Sequence, residues 1–110
     1  MSEEGGGLTL IYTLYGDRHD AEAAARVMVE GGMAACANLL SPSESYYLWN
    51  GMLEKQREYP VLFKTSVGKR DLLIAALREG HPYDLPAILD WPARATADYA
   101  RWVGEMTGGA

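Results

Sequence analysis

The chain has 110 residues and a mass of 12.1 kDa, which is the size of one domain around a single core. Apolar residues make up 48% of it and charged residues 23%, so wholesale disorder and fibrous repeats are excluded. Ten basic and fifteen acidic residues give a net charge of -5, and no basic cluster exceeds the pair Lys69 and Arg70, so we do not expect nucleic acid as a partner.

The start of the chain predicts a strand followed by a helix. Residues 8–15 are rich in β-branched and aromatic side chains, which is typical of a buried strand that can be central in a sheet. Asp17 can cap a helix in which alanine and methionine recur at helical spacing. Gly31 and Gly32 should end this helix, because glycine adopts the left-handed C-cap conformation without steric cost.

A long β-hairpin is predicted next. Residues 33–49 have strand character, and the following Asn50-Gly51 favours a two-residue type I′ turn, which needs positive φ at both positions. With such a turn Tyr47 should face Glu54 in the opposite strand. Seventeen extended residues reach on the order of 55 Å, so the outer half of the hairpin must overhang its own domain.

Two features of the hairpin suggest how it bends and what covers it. Pro42 falls almost opposite Pro60, and the two missing N–H groups should break or bulge the ladder there. The outer part, residues 43–58, is called the hairpin arm below. It carries a run of large apolar residues, so we expect it to pack on another subunit rather than to stack on nucleotides or single-stranded DNA.

The rest of the chain completes the order of elements. Residues 61–65 predict a further strand, residues 68–80 a second helix and residues 87–91 a fourth strand. Prolines keep residues 81–86 from being helical, and Thr96 can cap a last helix. The order βαββαβ predicts an α+β, ferredoxin-like fold with one additional C-terminal helix.

Composition also indicates the cellular compartment and the flexible ends of the chain. The longest apolar run is far shorter than the roughly 20 residues that cross a bilayer, and the acidic start does not look like a signal peptide, so we expect a cytoplasmic protein without membrane contact. A single cysteine, Cys36, excludes an internal disulfide and a four-thiolate zinc site. The glycine-rich ends predict flexible tails over residues 1–7 and 107–110, on either side of one domain over residues 8–106.

Four stretches resemble the CutA divalent-ion tolerance family, in its order and with its spacing: residues 29–38, 47–51, 81–86 and 97–102. The most specific pieces are Ala34-Ala35-Cys36-Ala37-Asn38 and His81-Pro82-Tyr83-Asp84-Leu85-Pro86. The resemblance implies a homotrimer of ferredoxin-like subunits, each with its hairpin on a neighbour, similar in architecture to PII signalling proteins. It also implies a role in tolerance of copper and other divalent ions. Two positions depart from the family pattern: Ala87 stands where Glu is common, and Gly31-Gly32 replaces a polar helix end.

Three residues are candidate ligands for a divalent metal ion, copper above all. His81 offers an imidazole held by a rigid, proline-flanked loop, and Asp84 can add an oxygen ligand or orient the ring. Alternatively, both residues only cap the second helix and shape the turn. Cys36 stands where the family has a cysteine proposed to contact copper, or it is a small buried residue on a central strand. Strand alternation places it on one face with Ala34 and Asn38.

Enzymatic chemistry is not expected. The sequence has no glycine-rich phosphate loop and no motif of a zinc protease or serine hydrolase, and no histidine is placed to act as a base beside Cys36. His19 should be an exposed surface residue. The predicted function is therefore a trimeric copper-binding tolerance protein, without catalytic or cofactor-binding residues. The alternative is a PII-like sensor that binds a small molecule in clefts between subunits and signals to a partner protein.

Overall fold

The computed structural model describes residues 6–108, so residues 1–5 and 109–110 of the predicted tails lie outside the described residues. Its elements are β1 (Gly6–Tyr15), α1 (Arg18–Glu30), β2 (Cys36–Leu39), β3 (Ser43–Trp49), β4 (Met52–Thr65), α2 (Arg70–Gly80), β5 (Ile88–Ala95) and α3 (Ala97–Met106). The antiparallel sheet has the order β2-β4-β1-β5. The strand β3 pairs with the first half of β4, residues 52–58, whereas β2 pairs with residues 61–64 of the same strand. The predicted ferredoxin-like fold is confirmed, with α3 as the additional helix.

Helix α1 begins and ends where the sequence predicts. The Asp17 carboxylate accepts a hydrogen bond of 2.8 Å from the backbone N–H of Asp20, which satisfies one of the free donors of the first turn. Gly32, just beyond the helix, has a φ of 76°, which favours glycine. Within the described range, no helix has the length and apolar composition that crossing a membrane requires.

The main core lies between the sheet and the helices α1 and α2. Every second residue of the central strands points into it, and α1 can approach closely because it contributes alanines. The largest buried members of this core are Ile11, Tyr15, Val61, Phe63, Leu73 and Leu77. A second, smaller cluster, formed by Leu8, Ala35 and Val103, joins α3 to one end of the opposite face of the sheet.

Within residues 6–108, most of that opposite face has no helix against it, and it is called the helix-free face below. Its side chains alternate with the core residues along β1, β4 and β5, and the register places Tyr12 between Leu62 and Leu89. Leu89 is 54% exposed and Trp91 is 41% exposed. The described residues therefore leave one apolar side of the sheet uncovered.

The hairpin has the predicted turn and the predicted irregularity. Asn50 and Gly51 have φ values of 52° and 79°, and Tyr47 faces Glu54. Between β2 and β3 the register shifts by one residue: Leu39 faces Val61, whereas Ser43 faces Glu58. The additional residue is accommodated in the segment that contains Pro42, as expected where the ladder bulges.

Strand β4 continues through Pro60 without interruption and carries the arm away from the sheet. Fourteen residues span about 46 Å, and the molecule measures 51 × 25 × 22 Å. The apolar residues at the tip of the arm, Leu48, Trp49, Met52 and Leu53, are all exposed. The predicted overhang is present.

Three boundaries differ from the sequence-based prediction. β1 begins at Gly6, which pairs with Ala95 of β5, although residues 1–7 were expected to form a tail. β5 is longer than expected because it runs through Pro92, which an edge strand tolerates on its unpaired side. At the other end, the hydroxyl of Thr107 is buried and donates to Ser66 Oγ at 3.0 Å, so this residue also belongs to the packed domain.

Helix α2 allows a matched test of this packing, because Leu73 is fully buried whereas Leu72 is 54% exposed. Leu73→Ala should lower the free energy of unfolding by about 2–5 kcal/mol, since it removes buried contacts and leaves a cavity. Leu72→Ala should change it by less than about 0.5 kcal/mol. Urea unfolding followed by circular dichroism measures both values, and similar losses for the two variants would contradict the placement of α2.

Candidate functional site

His81 directly follows α2, and its ring is held on two sides. Its Nε2 lies 2.9 Å from the carbonyl oxygen of Leu14, which only accepts hydrogen bonds, and its Nδ1 lies 3.2 Å from the backbone N–H of Tyr83, which only donates. These partners select the neutral imidazole with the proton on Nε2. The ring also stacks on Tyr15, with a centroid distance of 4.4 Å and an interplanar angle of 10°.

This environment affects both the charge and the ligand capacity of His81. Burial lowers the pKa of His81 below its ordinary value, and this outweighs the hydrogen bond to Leu14 and the charges of Asp20 and Glu58, which favour the protonated form. Both ring nitrogens already have partners. A metal ion at His81 would therefore have to displace one of these two hydrogen bonds.

Cys36 occupies a different environment from the one expected. It begins β2, which is an edge strand in the described chain, so the prediction of a central strand was wrong. Its thiol is half-buried, and its Sγ lies 3.8 Å from Asn38 Oδ1, so these two residues share a face as predicted. Ala34 does not share that face: it packs in the main core, because it precedes the strand and the alternation does not extend back to it.

The structure does not bring the three predicted metal ligands together in one chain. In the sheet register Cys36 lies level with Leu10, whereas His81 is bonded at Leu14, which is about 13 Å further along β1. Asp84 is exposed in the loop after His81. Across residues 6–108, no group of three His, Cys, Asp or Glu residues could hold a metal ion. A metal-binding role for the three residues remains a prediction.

The loop after His81 forms one wall of a cleft, and the hairpin arm forms the other. The cleft has a volume of about 660 Å³. Several of its residues alternate along β3 and β4, so the cleft continues the helix-free face onto the arm. It is lined by Leu14, Tyr47, Leu48, Trp49, Glu54, Gln56, Glu58, Tyr83, Asp84, Leu85 and Ala87.

A chain of hydrogen bonds crosses the base of this cleft. The Tyr47 hydroxyl donates to Gln56 Oε1 at 2.7 Å, Gln56 Nε2 donates to the Tyr83 hydroxyl at 3.1 Å, and that hydroxyl donates to Glu58 Oε2 at 2.9 Å. The backbone of Tyr83 is in turn bonded to His81. Side-chain hydrogen bonds thus connect both strands of the arm to the loop that follows α2.

Sequence reasoning missed Gln56 and Glu58 as members of the site. The available signal was their alternation with Glu54 on the strand opposite Tyr47, once the Asn50-Gly51 turn had set the register. Burial, followed by the hydrogen bond to Glu58 and the charge of that carboxylate, raises the pKa of Tyr83. The Tyr83 hydroxyl therefore keeps its proton and remains a donor to Glu58.

Comparison with known proteins gives consistent matches. The model of the family described as "CutA1 divalent ion tolerance protein" matches residues 9–106. The chain is 36% identical over 84 residues to the divalent-cation tolerance protein CutA of Pectobacterium atrosepticum, with 76% of each protein covered. It is 39% identical over 83 residues to CutA of Salmonella newport, with 74% of this chain and 71% of that protein covered. The solved structure of CutA from Synechococcus elongatus superimposes with a TM-score of 0.89 at 31% identity, covering 96% of this chain and 94% of that one.

The environment of His81 predicts how stability depends on pH. The folded chain keeps the ring neutral, whereas the unfolded chain protonates it near the ordinary pKa of 6.5. The unfolded state then binds more protons, so the contribution of His81 is complete above about pH 7 and is lost as the pH falls through 6.5 towards the lowered pKa of the folded state. His81→Phe keeps a ring against Tyr15 but does not titrate, so its free energy of unfolding should fall less over this range.

Urea unfolding of both proteins at a series of pH values measures the difference. If the parent and His81→Phe lose stability equally on acidification, His81 is not held neutral in the folded state.

Proposed function

The chain belongs to the CutA1 divalent ion tolerance protein family, and we propose that it acts in divalent-cation tolerance as a homotrimer that binds copper(II). The observation that carries the proposal is the apolar surface that a single chain leaves uncovered. This surface includes the helix-free face and the tip of the arm, where large exposed apolar residues lie next to one another rather than singly.

Several features support association of copies through this surface. An isolated two-stranded hairpin is marginally stable in water, so an arm that projects beyond its own core needs contacts elsewhere. The sheet also has two edges, β2 and β5, each paired on one side only within the described residues. Contact with other copies would cover the arm, the helix-free face and these edges at once. The number of three copies is what the family resemblance implies.

The same association offers a route to a cation site. Copper(II) favours imidazole ligands and accepts a thiolate beside imidazoles in blue-copper sites, and the described residues of one chain do not assemble three ligands. Cys36 lies half-buried on the edge strand β2 and Asp84 is exposed, so both are within reach of a second copy. His81 can join only by exchanging a hydrogen bond, and the bond from the Tyr83 N–H, at 3.2 Å, is the longer of the two. We therefore propose that ligands from more than one copy hold the ion.

Sedimentation tests the assembly. The parent should sediment as a trimer at micromolar concentration, and a stable monomer would contradict the proposal. Trp49→Ala should weaken assembly much more than Trp102→Ala, since aromatic anchors dominate interfaces and Trp49 lies on the arm. Trp102 is a matched control, because it is similarly exposed but packs against Tyr99 of its own helix. Equal effects of the two substitutions would exclude the arm as the main contact.

Calorimetric titration tests the ion. Copper(II) should bind the parent more tightly than zinc does, following the Irving–Williams order. Cys36→Ser and His81→Ala should each weaken copper binding by at least about tenfold if they are ligands, while His19→Ala should leave it unchanged. Ala87→Glu restores the carboxylate common in the family and should raise the affinity if that position belongs to the site.

Each variant is first checked for assembly by sedimentation, so that a lost ligand is distinguished from a lost interface. If Cys36→Ser and His81→Ala both remain assembled and bind copper as tightly as the parent, these residues do not hold the ion. The copper part of the proposal then fails even if the assembly part stands.

A further inference from the structure

A groove lies between α1 and α2, on the side of the sheet opposite the helix-free face. Its volume is about 280 Å³. An apolar cavity of roughly 150 Å³ already holds a benzene ring, so this groove has room for a ring and one polar group. Its walls are mostly apolar side chains of the two helices, among them Ala23, Val27 and Met28 of α1 and Ala76 and Leu77 of α2.

The groove is separate from the surfaces that the proposed function places between copies. Those surfaces are the helix-free face, the arm and the edges of the sheet, and none of the lining residues belongs to the arm. Val27 on its rim is 61% exposed. Association through the other side of the sheet therefore leaves the groove open to solvent.

Tyr15 is the buried polar residue of the groove. Only 3% of its surface is exposed, because its ring packs in the main core and stacks on His81. Its hydroxyl has no hydrogen-bond partner among the described residues, and within residues 6–108 no side-chain oxygen is both fully enclosed and unpaired. The hydroxyl therefore keeps a small contact with solvent, and the groove that Tyr15 lines provides it.

Asp20 places a hydrogen-bond acceptor near this hydroxyl. Its side chain is half-buried at the same groove and forms no ion pair with another described residue, whereas Arg18 pairs with Glu22 at 3.9 Å. Burial and the charge of Asp20 raise the pKa of Tyr15 to about 12, so the phenol keeps its proton and can donate. A donor and an acceptor thus face one apolar groove without a partner from residues 6–108.

This pair of groups selects among the possible ligand classes. A hydroxyl group both accepts and donates, so it can bond to Tyr15 and Asp20 at once. An ammonium group only donates and leaves the Tyr15 proton without an acceptor, and a carboxylate only accepts and is repelled by Asp20. The apolar walls gain from burying a hydrocarbon body, since this removes apolar surface from water.

We propose that the groove between α1 and α2 binds a small uncharged ligand that carries a hydroxyl group on an apolar body about the size of a benzene ring. The ligand hydroxyl accepts from Tyr15 and donates to Asp20, and the body lies against Val27, Met28 and Leu77. This site does not depend on copper binding, because neither Cys36 nor His81 lines it.

Benzyl alcohol is a suitable probe, because it combines one hydroxyl with one ring. It is titrated into the full chain, and the methyl chemical shifts of Val27 and Ala76 locate and quantify the binding. Toluene, benzylammonium and benzoate have the same ring with a different polar group or none. Each should bind at least about fivefold more weakly than benzyl alcohol, since each loses one or both hydrogen bonds.

Substitutions assign the binding to the two polar groups. Tyr15→Phe removes only the hydroxyl, and it should weaken benzyl alcohol at least about fivefold without changing the affinity for toluene. Tyr12→Phe removes a hydroxyl from the other face of the same strand and should have no effect. Asp20→Ala should likewise weaken benzyl alcohol, whereas Glu22→Ala, which changes an exposed residue of α1 outside the groove, should not.

A third variant covers the case in which Tyr15→Phe does not fold. Ala23 is exposed and lines the groove, so Ala23→Phe fills it from the solvent side and should weaken benzyl alcohol and toluene alike, at least about fivefold.

Four results would overturn the proposal: no shift of the groove methyl groups, toluene or benzylammonium binding as tightly as the alcohol, undiminished binding by folded Tyr15→Phe, or groove shifts that follow protein concentration instead of the probe. The last result would place a second copy in the groove. Failure here is distinguishable from failure of copper binding, because the copper titration responds to Cys36 and His81, whereas this one responds to Tyr15 and Asp20.

Discussion

The length of β4 is the constraint on which the rest of the structure depends. Its inner half lies between β1 and β2 and supplies Val61 and Phe63 to the core, whereas its outer half pairs with β3 alone. The shift of register near Pro42 accommodates the change from sheet to arm. Because the outer half extends past α1 and α2, the described residues of the same chain leave its apolar side chains exposed. The uncovered surface and the cleft beside the loop after α2 both result from this length.

Tyr83 joins this arm to the body of the domain. Its backbone is held by His81, which the carbonyl of Leu14 and the ring of Tyr15 hold in turn, and its hydroxyl bonds to Gln56 and Glu58. His81 therefore has a structural role in the single chain. Its ring could bind a metal ion only by losing one of its two hydrogen bonds.

Local signals in the sequence predicted most of the fold, and long-range pairing accounts for the errors. Asp17 and Asn50-Gly51 act within a few residues of themselves, so the start of α1, the turn and the pairing of Tyr47 with Glu54 could all be inferred. The edge position of β2 depends on the order of strands, which no local pattern around Cys36 reveals. His81 bonds to a carbonyl 67 residues away, and Glu58 accepts a hydrogen bond from Tyr83, 25 residues further along the chain. The sequence therefore predicted which residue types belong to the candidate site, but not how they are arranged in space.

Hydrogen exchange of the arm tests most directly whether the surface left bare by one chain is covered by other copies. A two-stranded hairpin that projects into water opens easily, so its amides should exchange quickly even though β3 and β4 pair along its length. The account predicts that, in the assembled protein, the amides of residues 43–58 are protected to nearly the same extent as those of β1. Rapid exchange throughout the arm, while β1 stays protected, would contradict it.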